Sequence, residues 1–169
     1  MNRLIGVALL SISVSLSAGE FGIHVPMQLK DAHTYYITGQ IGQVSPSDFM
    51  VDTGSSYMMI NEITLAQLEQ TGDAQYLREL TGILANGDEM RVPIYTISSV
   101  RIGENCILQN VEAAVFPGDT RQILGLSALL KAAPFIFSVH PPKLQLSHCL
   151  SAQAETGGQT ELAAGLEEF

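Results

Sequence analysis

The sequence predicts a mostly β domain with one or two short helices, of a size that forms one hydrophobic core. The chain has 169 residues, of which 46% are hydrophobic and 15% charged, a composition too apolar for a disordered protein. Its 15 glycines and 7 prolines predict frequent turns, and many of the segments between these turns alternate apolar and polar residues. Short alternating segments separated by turns are typical of β domains.

The first predicted strands surround an aspartate. Residues 35–41 alternate with the two-residue period of a half-buried strand, and turn-forming residues follow at 42–47. Residues 49–51 form a short apolar strand that leads directly into Asp52, and another apolar run occupies 57–60. The sequence therefore places the Asp52 carboxylate at the end of a strand, between two core segments.

Two short helices are predicted. Thr64 begins a capping-box pattern and Gly72 provides a C-terminal stop, which together predict a helix over residues 65–71. A second helix is predicted over residues 126–131, ending before Pro134.

Asn86 and Gly87 carry the strongest hairpin signal in the chain, because Asn-Gly supplies both positive φ values of a type I′ turn. A two-residue turn at this position sets Ile83 opposite Met90 on one face of the hairpin. Alternating apolar residues on either side of turn residues predict two more hairpins, 97–102 with 106–116 and 135–139 with 143–146.

The two ends of the chain differ in composition from the middle. Residues 1–19 have a short positive start, an apolar run diluted by serines, and small residues for cleavage, which is the order of a secretory signal. An uncleaved anchor is the alternative, but the apolar run is shorter than the roughly 20 residues that span a bilayer. Residues 151–169 have few large apolar side chains and are interpreted as a flexible acidic tail. We therefore expect an exported protein, periplasmic or secreted, with no stable membrane span after signal cleavage and a folded domain over residues 21–150.

The charge balance excludes nucleic acid as a partner. The chain has 8 Lys+Arg against 17 Asp+Glu, a formal net charge of −9, and no basic run that would attract phosphates. The histidines, His24, His33, His140 and His148, are scattered without the spacing of metal ligands. No metal or cofactor is expected.

A possible catalytic motif follows the apolar strand at 49–51. It reads Asp-Thr-Gly-Ser-Ser from Asp52. A second motif, apolar-apolar-Gly, lies further along the chain at 123–125, after the hairpin pattern. In this order the chain resembles the retropepsin-like aspartic proteases, in particular the small single-domain bacterial members with an export signal. The resemblance covers residues 35–146 and implies a retropepsin-like acid-protease half-barrel.

The resemblance implies an aspartic endopeptidase that acts on a peptide or protein substrate. Such enzymes use two carboxylates that share one proton: the ionised one draws a proton from water, and the protonated one polarises the scissile carbonyl. The chain contains one Asp-Thr-Gly, so a second copy has to supply the other Asp52, in a two-fold homodimer with the active site on its axis. The alternative is a non-catalytic envelope module of the same fold, which binds an extended peptide or a partner domain without cutting it.

The resemblance also implies roles for the residues near Asp52. Thr53 would brace the two loops across the dimer axis, Gly54 would allow close backbone approach, and Ser55 would hydrogen-bond the Asp52 carboxylate. The element packed behind this loop would be Ile123, Leu124 and Gly125. The flap that closes over a bound peptide would contain Ile83, Ala85, Asn86, Gly87 and Met90.

Cys106 and Cys149 are the two cysteines of the chain. In an oxidising compartment, a disulfide between them would tie the second hairpin to the last strand. The alternative, that one or both are buried thiols, stays open, because the sequence does not show whether their Cβ atoms approach within bonding distance.

Overall fold

The computed structural model describes residues 21–30, 33–83 and 87–150, so the predicted signal at 1–19 and the predicted tail lie outside the described residues. Within those ranges the strands are β1 (Ile23–Pro26), β2 (Gln28–Lys30), β3 (Thr34–Ile41), β4 (Ser47–Val51), β5 (Met58–Asn61), β6 (Ala74–Ile83), β7 (Glu89–Ile102), β8 (Cys106–Phe116), β9 (Gln122–Leu124), β10 (Phe135–Val139) and β11 (Pro142–Leu146). The helices there are α1 (Glu62–Thr71) and α2 (Leu126–Leu129), the latter continued by a 3₁₀ turn at Leu130–Ala132. The predicted mostly β class with two short helices is confirmed. In the same ranges, no helix has the length and apolar character needed to cross a membrane.

Most of the strands belong to one sheet that closes on itself. Its order is β2-β3-β4-β9-β5-β8-β7-β6, and an additional β3–β7 pairing joins six of these strands into a ring. Strand β4 pairs with β9 in parallel, and β5 pairs with β8 in parallel. The remaining strands form a three-stranded sheet of order β1-β11-β10.

Two groups of buried apolar side chains hold this architecture together. The larger one includes Phe49 and Leu124 from the closed sheet and Leu144 from the three-stranded sheet, so it joins the two sheets. The smaller one, called the second cluster here, consists of Val92, Ile94 and Ala114, with Tyr57, Met59, Leu80, Met90 and Phe116 packed against it. The second cluster therefore lies beside the segment that follows Asp52.

Helix α1 begins three residues earlier than predicted. Asn61 is its N-cap, because the Asn61 side-chain oxygen accepts the backbone N–H of Thr64 at 2.8 Å. Thr64, the predicted cap, is buried, and its hydroxyl accepts a hydrogen bond from Gln122 at 2.8 Å. The predicted end is confirmed, since Gly72 has the left-handed conformation that stops a helix, with φ of 74°.

The hairpins β7–β8 and β10–β11 are confirmed, whereas β6–β7 has a register different from the predicted one. Ile83 faces Glu89, and Gly82 faces Met90, so the expectation that Ile83 lies opposite Met90 is wrong. A two-residue turn requires an even number of residues between paired positions, and five residues separate Ile83 from Glu89. Strands β1, β2 and β9 are additions for which the sequence patterns predict no strand, and β6 begins at Ala74, well before the predicted hairpin.

Cys106 and Cys149 form a disulfide, with their Cα atoms 4.9 Å apart. It joins the first residue of β8 to the segment that follows β11. Next to it, Ile107 and Leu150 exchange two backbone hydrogen bonds, of 3.0 and 3.1 Å. The covalent bond and the backbone pair together hold the end of the described domain against β8.

Removal of this bridge is expected to lower the free energy of unfolding by about 3 kcal/mol, because a disulfide across a sequence separation of 43 residues strongly restricts the unfolded chain. Urea unfolding of the Cys106→Ala/Cys149→Ala variant beside the oxidised parent measures the difference. Reductant should destabilise the parent and leave the variant unchanged. Equal unfolding midpoints for parent and variant would contradict the prediction.

Candidate active site

Asp52 and Gly125 meet at one edge of the sheet because each follows one of two neighbouring parallel strands. Val51 at the end of β4 pairs with Leu124 at the end of β9. The two strands run in the same direction, so the segments that leave their carboxyl ends are adjacent. The backbone N–H of Asp52 donates to the carbonyl oxygen of Leu124 at 3.2 Å. The Asp-Thr-Gly motif and the apolar-apolar-Gly motif, which are far apart in the sequence, are therefore in contact.

Backbone groups of the loop after β4 orient the Asp52 carboxylate. The Gly54 N–H donates to Asp52 Oδ1 at 2.8 Å, and the Ser55 N–H donates to the Asp52 carbonyl oxygen at 3.3 Å. A Cβ at position 54 would lie 3.1 Å from the same Oδ1, so a glycine permits this close approach. Asp52 is half-buried and Thr53 is exposed, which leaves the loop accessible to a second molecule.

The hydrogen bond expected from the Ser55 side chain to the Asp52 carboxylate is replaced by a different one. The Ser55 hydroxyl donates to the carbonyl oxygen of Tyr57 at 2.8 Å. The turn that pairs the Ser55 N–H with the Asp52 carbonyl directs the serine side chain toward Tyr57. The Gly54 N–H, and not the Ser55 hydroxyl, donates to the carboxylate oxygen of Asp52. The implied role of Ser55 is therefore corrected: its side chain holds the backbone of the loop.

The apolar-apolar-Gly element packs behind this loop. Ile123 and Leu124 are buried, at 8% and 0% exposure. Gly125 approaches the loop so closely that a Cβ there would lie 2.1 Å from the carbonyl oxygen of Tyr57. These contacts fit the structural support that the resemblance implies for the three residues.

Asp52 lies in a surface groove of about 370 Å³. Part of its wall is formed by the rings of Tyr35 and Phe137, which pack edge to face with centroids 5.2 Å apart. The other described lining residues are His33, Thr34, Met50 and Val51. A mostly apolar groove with one carboxylate suits an extended peptide whose backbone passes Asp52. Sequence reasoning does not identify Tyr35 or Phe137 as site residues, because nothing in their own segments indicates that they reach Asp52.

A larger groove, of about 450 Å³, lies beside the disulfide. Its described lining includes Lys131, His148 and Cys149 but no carboxylate. Chemistry that depends on a carboxylate has no group to use among these described residues, so the smaller groove at Asp52 is the candidate active site.

Three of the five expected flap residues belong to the part of the chain that the structure describes. Ile83, at the end of β6, is 76% exposed, whereas Met90 packs against the second cluster. Gly87 has a positive φ, of 88°. Ala85 and Asn86 lie outside the described residues. Ile83 is therefore open to contact a ligand, and Met90 connects the hairpin to the fold.

A polar cluster that the sequence analysis does not identify lies beside the loop. Arg78 of β6 donates from Nη2 to the Tyr57 hydroxyl at 3.1 Å and to Glu112 Oε2 at 2.6 Å. The hydrogen bond to Glu112, and after it the one to Tyr57, raises the pKa of Arg78 above its usual value. The three side chains come from three separate segments, so no local pattern in the sequence indicates the cluster.

The described residues contain no group of three or more His, Cys, Asp or Glu side chains that could hold a metal ion. The described lining of the groove offers one carboxylate, Asp52, and one imidazole, His33. These are fewer ligands than a protein metal site ordinarily supplies.

Comparisons with known proteins agree with this geometry. A family model described as "Aspartyl protease" matches residues 37–128, more than half of the chain. No curated protein matches. Among solved structures, the chain is similar to the crystal structure of a retropepsin-like aspartic protease from Rickettsia conorii, with 25% sequence identity and a TM-score of 0.53. That similarity covers 73% of this chain and 88% of the other. Both Asp52 and the sequence at 123–125 lie within the residues that the family model matches.

Proposed function

The chain belongs to the aspartyl protease family and has a retropepsin-like fold, as the sequence predicted, and from this premise we propose that it is an aspartic endopeptidase whose active site is completed by a second copy of the chain. Asp52 of each copy supplies one carboxylate of the dyad. The observation that carries the proposal is the placement of Asp52. Its Oδ1 is held by the Gly54 amide at the end of β4, in a groove with no second acid among its described lining residues.

The proposed reaction uses both carboxylates. The ionised Asp52 takes a proton from water while the water oxygen attacks the scissile carbonyl carbon, and the protonated Asp52 of the partner subunit donates its proton to the carbonyl oxygen. The resulting gem-diol collapses when the C–N bond breaks and the leaving nitrogen receives the proton that Asp52 took from water. As the carbonyl reforms, the partner's Asp52 takes a proton from one hydroxyl of the diol, so the dyad again holds one proton. The Gly54 amide holds one Asp52 oxygen throughout, so the carboxylate needs little reorganisation during the reaction.

Two exposed elements fit substrate binding and assembly in this proposal. Thr53 is exposed beside Asp52, where its hydroxyl is available to brace the loop of a second copy. The β6–β7 hairpin presents the exposed Ile83 near its end, and an extended peptide can add to such a hairpin through backbone hydrogen bonds.

The free edge of β10 supports a route by which two copies bring their grooves together. Among the described residues, β10 pairs with β11 on one side and with no strand on the other. Its five residues carry no charge, and Ile136 and Val139 are 39% and 45% exposed. Uncharged edges of this kind readily pair with another chain. Phe137 of the same strand lines the Asp52 groove, so pairing of two β10 edges would bring the two grooves toward each other.

Ile136→Lys is expected to weaken the dimer and peptide cleavage together. A lysine on an edge strand opposes strand addition, so the dissociation constant of the dimer should rise by about tenfold or more. Sedimentation velocity over a range of concentrations measures assembly, and mass-spectrometric digestion of a peptide library measures cleavage in the same samples. Ile63→Lys is the matched control, because Ile63 is an exposed isoleucine, at 53%, on a different element, α1.

Cleavage that rises and falls with the dimer fraction supports the proposed function. A persistent monomer that binds peptides without cutting them would instead favour the non-catalytic module of the same fold. An unchanged dimer with full cleavage in Ile136→Lys would contradict the β10 route and leave the shared dyad supported.

We also propose that the protein is exported to the periplasm or the medium. The proposal rests on the signal predicted at residues 1–19. The disulfide between Cys106 and Cys149 supports it, because structural disulfides persist mainly in oxidising compartments.

A further inference from the structure

A one-residue bulge in β6 turns Arg78 toward the second cluster. Before the bulge, Tyr76 lies opposite Tyr95, and after it Arg78 lies opposite Ile94. Directly opposed residues share a face of the sheet, and the neighbours Ile94 and Tyr95 point to opposite faces. Tyr76 and Arg78, which would share a face in a regular strand, therefore point to opposite sides because Leu77 is inserted between them.

The contacts of Arg78 reach two other elements at once. One nitrogen, Nη2, binds the Tyr57 hydroxyl and the Glu112 carboxylate. The side chains of Arg78 and Glu112 are 39% and 37% exposed, and ion pairs between side chains this exposed contribute little to stability. The stability gained from this ion pair is therefore a weak reason for the bulge that turns Arg78 toward the second cluster.

Both partners of the guanidinium connect to the Asp52 loop through their backbone carbonyl groups, Tyr57 directly and Glu112 by way of Ser127. The carbonyl oxygen of Tyr57 accepts the Ser55 hydroxyl at 2.8 Å. The carbonyl oxygen of Glu112 accepts the Ser127 hydroxyl at 2.6 Å, and the Ser127 N–H donates to the carbonyl oxygen of Ser56 at 3.0 Å. A shift of either partner is therefore transmitted to the loop within one or two hydrogen bonds.

We propose that Arg78 is a positioning residue that holds the Asp52 loop in its reactive geometry by fixing Tyr57 and Glu112. This inference rests on the proposed protease function. Arg78 also lies on β6, the strand that leads to Ile83, so its hydrogen bond to Tyr57 joins this strand to the segment that follows Asp52. The planar guanidinium suits this task, because Nη2 carries two N–H donors fixed in the plane of the group, one for each partner, whereas the donors of an ammonium group rotate freely.

Arg78→Met is expected to lower kcat for peptide cleavage by about tenfold and to change KM by less than about twofold, because misplacement of catalytic groups reduces the rate of the chemical step. Arg78→Lys should recover part of the lost kcat, since it restores the charge without the fixed plane of donors. Lys30→Met is the matched control. The Lys30–Asp48 pair has the same 2.6 Å separation and exposures of 40% and 40%, but neither residue is among the described lining residues of the Asp52 groove.

A double-variant cycle tests whether Arg78 acts through Tyr57. Tyr57→Phe removes the hydroxyl that accepts the hydrogen bond and keeps the ring on the second cluster. If Arg78 acts through that hydroxyl, adding Arg78→Met to the Tyr57→Phe variant lowers kcat by a smaller factor than adding it to the parent. Fully additive losses, or a kcat for Arg78→Met equal to that of Lys30→Met, would overturn the proposal.

Hydrogen exchange separates failure of this inference from failure of the proposed function. The Met58 N–H donates to the Ser127 hydroxyl at 2.7 Å, so the Met58 and Ser127 amides report on the loop framework without any substrate. Faster exchange of these amides in Arg78→Met than in Lys30→Met is the expected result, even if the parent cleaves no peptide. Equal exchange rates in the two variants would show that Arg78 does not position the loop. Peptide cleavage by the parent is the separate test of the protease function.

Discussion

Asp52→Asn is expected to lower kcat for peptide cleavage by about 10³-fold or more and to leave the fold intact. Asparagine has the same size, and its side-chain oxygen can accept the Gly54 N–H that now bonds Oδ1 at 2.8 Å. The variant loses the carboxylate that takes a proton from water, and general acid–base catalysis contributes about 10²–10⁴-fold to such reactions. Parallel digestion of a peptide library by the parent and the variant measures the loss.

Asp48→Asn is the matched control for this substitution. Asp48 lies on β4, the strand that leads to Asp52, and its carboxylate pairs with Lys30 at the surface. Its replacement removes one acid from the same strand without altering the groove, so we expect cleavage at the rate of the parent. An Asp52→Asn protein that cleaves as fast as Asp48→Asn would rule out the proposed mechanism.

Mixing the parent with Asp52→Asn tests whether the site is shared between two chains. When each active site needs one Asp52 from each subunit, mixed dimers are inactive, and an excess of the variant suppresses the activity of the parent. Measuring cleavage at fixed parent concentration and increasing variant concentration follows this loss. Activity that stays constant at every ratio would mean that each chain works alone.

Local patterns in the sequence predict the features whose signals are contiguous. Asp-Thr-Gly at 52–54 follows an apolar strand and the apolar-apolar-Gly motif lies at 123–125, so both motifs can be recognised without knowing which strands pair. The end of α1 at Gly72 depends on the conformational freedom of one residue. The β7–β8 turn at Gly103 likewise depends on neighbouring residues, and Gly103 has a positive φ, of 61°. Each of these features is present in the structure as predicted.

Features that depend on contacts between distant segments are not predicted by these patterns. The N-cap of α1 is Asn61, whose side chain accepts the Thr64 N–H, and the hydroxyl of Thr64, the predicted cap, instead binds Gln122, 58 residues further along the chain. The inward turn of Arg78 depends on a bulge relative to β7, and the groove wall at Phe137 depends on how the three-stranded sheet meets β4. Hydrophobic periodicity reports which face of a segment is buried but not which partner covers it.

Gly125→Ala is expected to lower the free energy of unfolding by about 4 kcal/mol or more, because the added methyl group has no space. This loss is at the high end of those caused by overpacking substitutions. A Cβ at this position would lie 2.1 Å from the carbonyl oxygen of Tyr57, 2.6 Å from its carbonyl carbon and 2.9 Å from the carbonyl oxygen of Ser55. All three are backbone atoms, so no side-chain rotation relieves the clash. The φ of Gly125, −94°, is open to any residue, so the cost comes from close approach alone.

Stability and cleavage should fall together in Gly125→Ala, because the clash lies where the Asp52 loop is held. The Leu126 N–H donates to the carbonyl oxygen of Ser55 at 2.8 Å, and displacement of Ser55 by a methyl group breaks this bond and shifts the turn that orients Asp52. Urea unfolding measures the free energy, and peptide digestion at concentrations of urea below the transition measures kcat. Gly22→Ala is the control, since no atom of the described residues lies within 4 Å of a Cβ there. If the two variants unfold at the same urea concentration, the close packing of residue 125 is not what holds Asp52 in place.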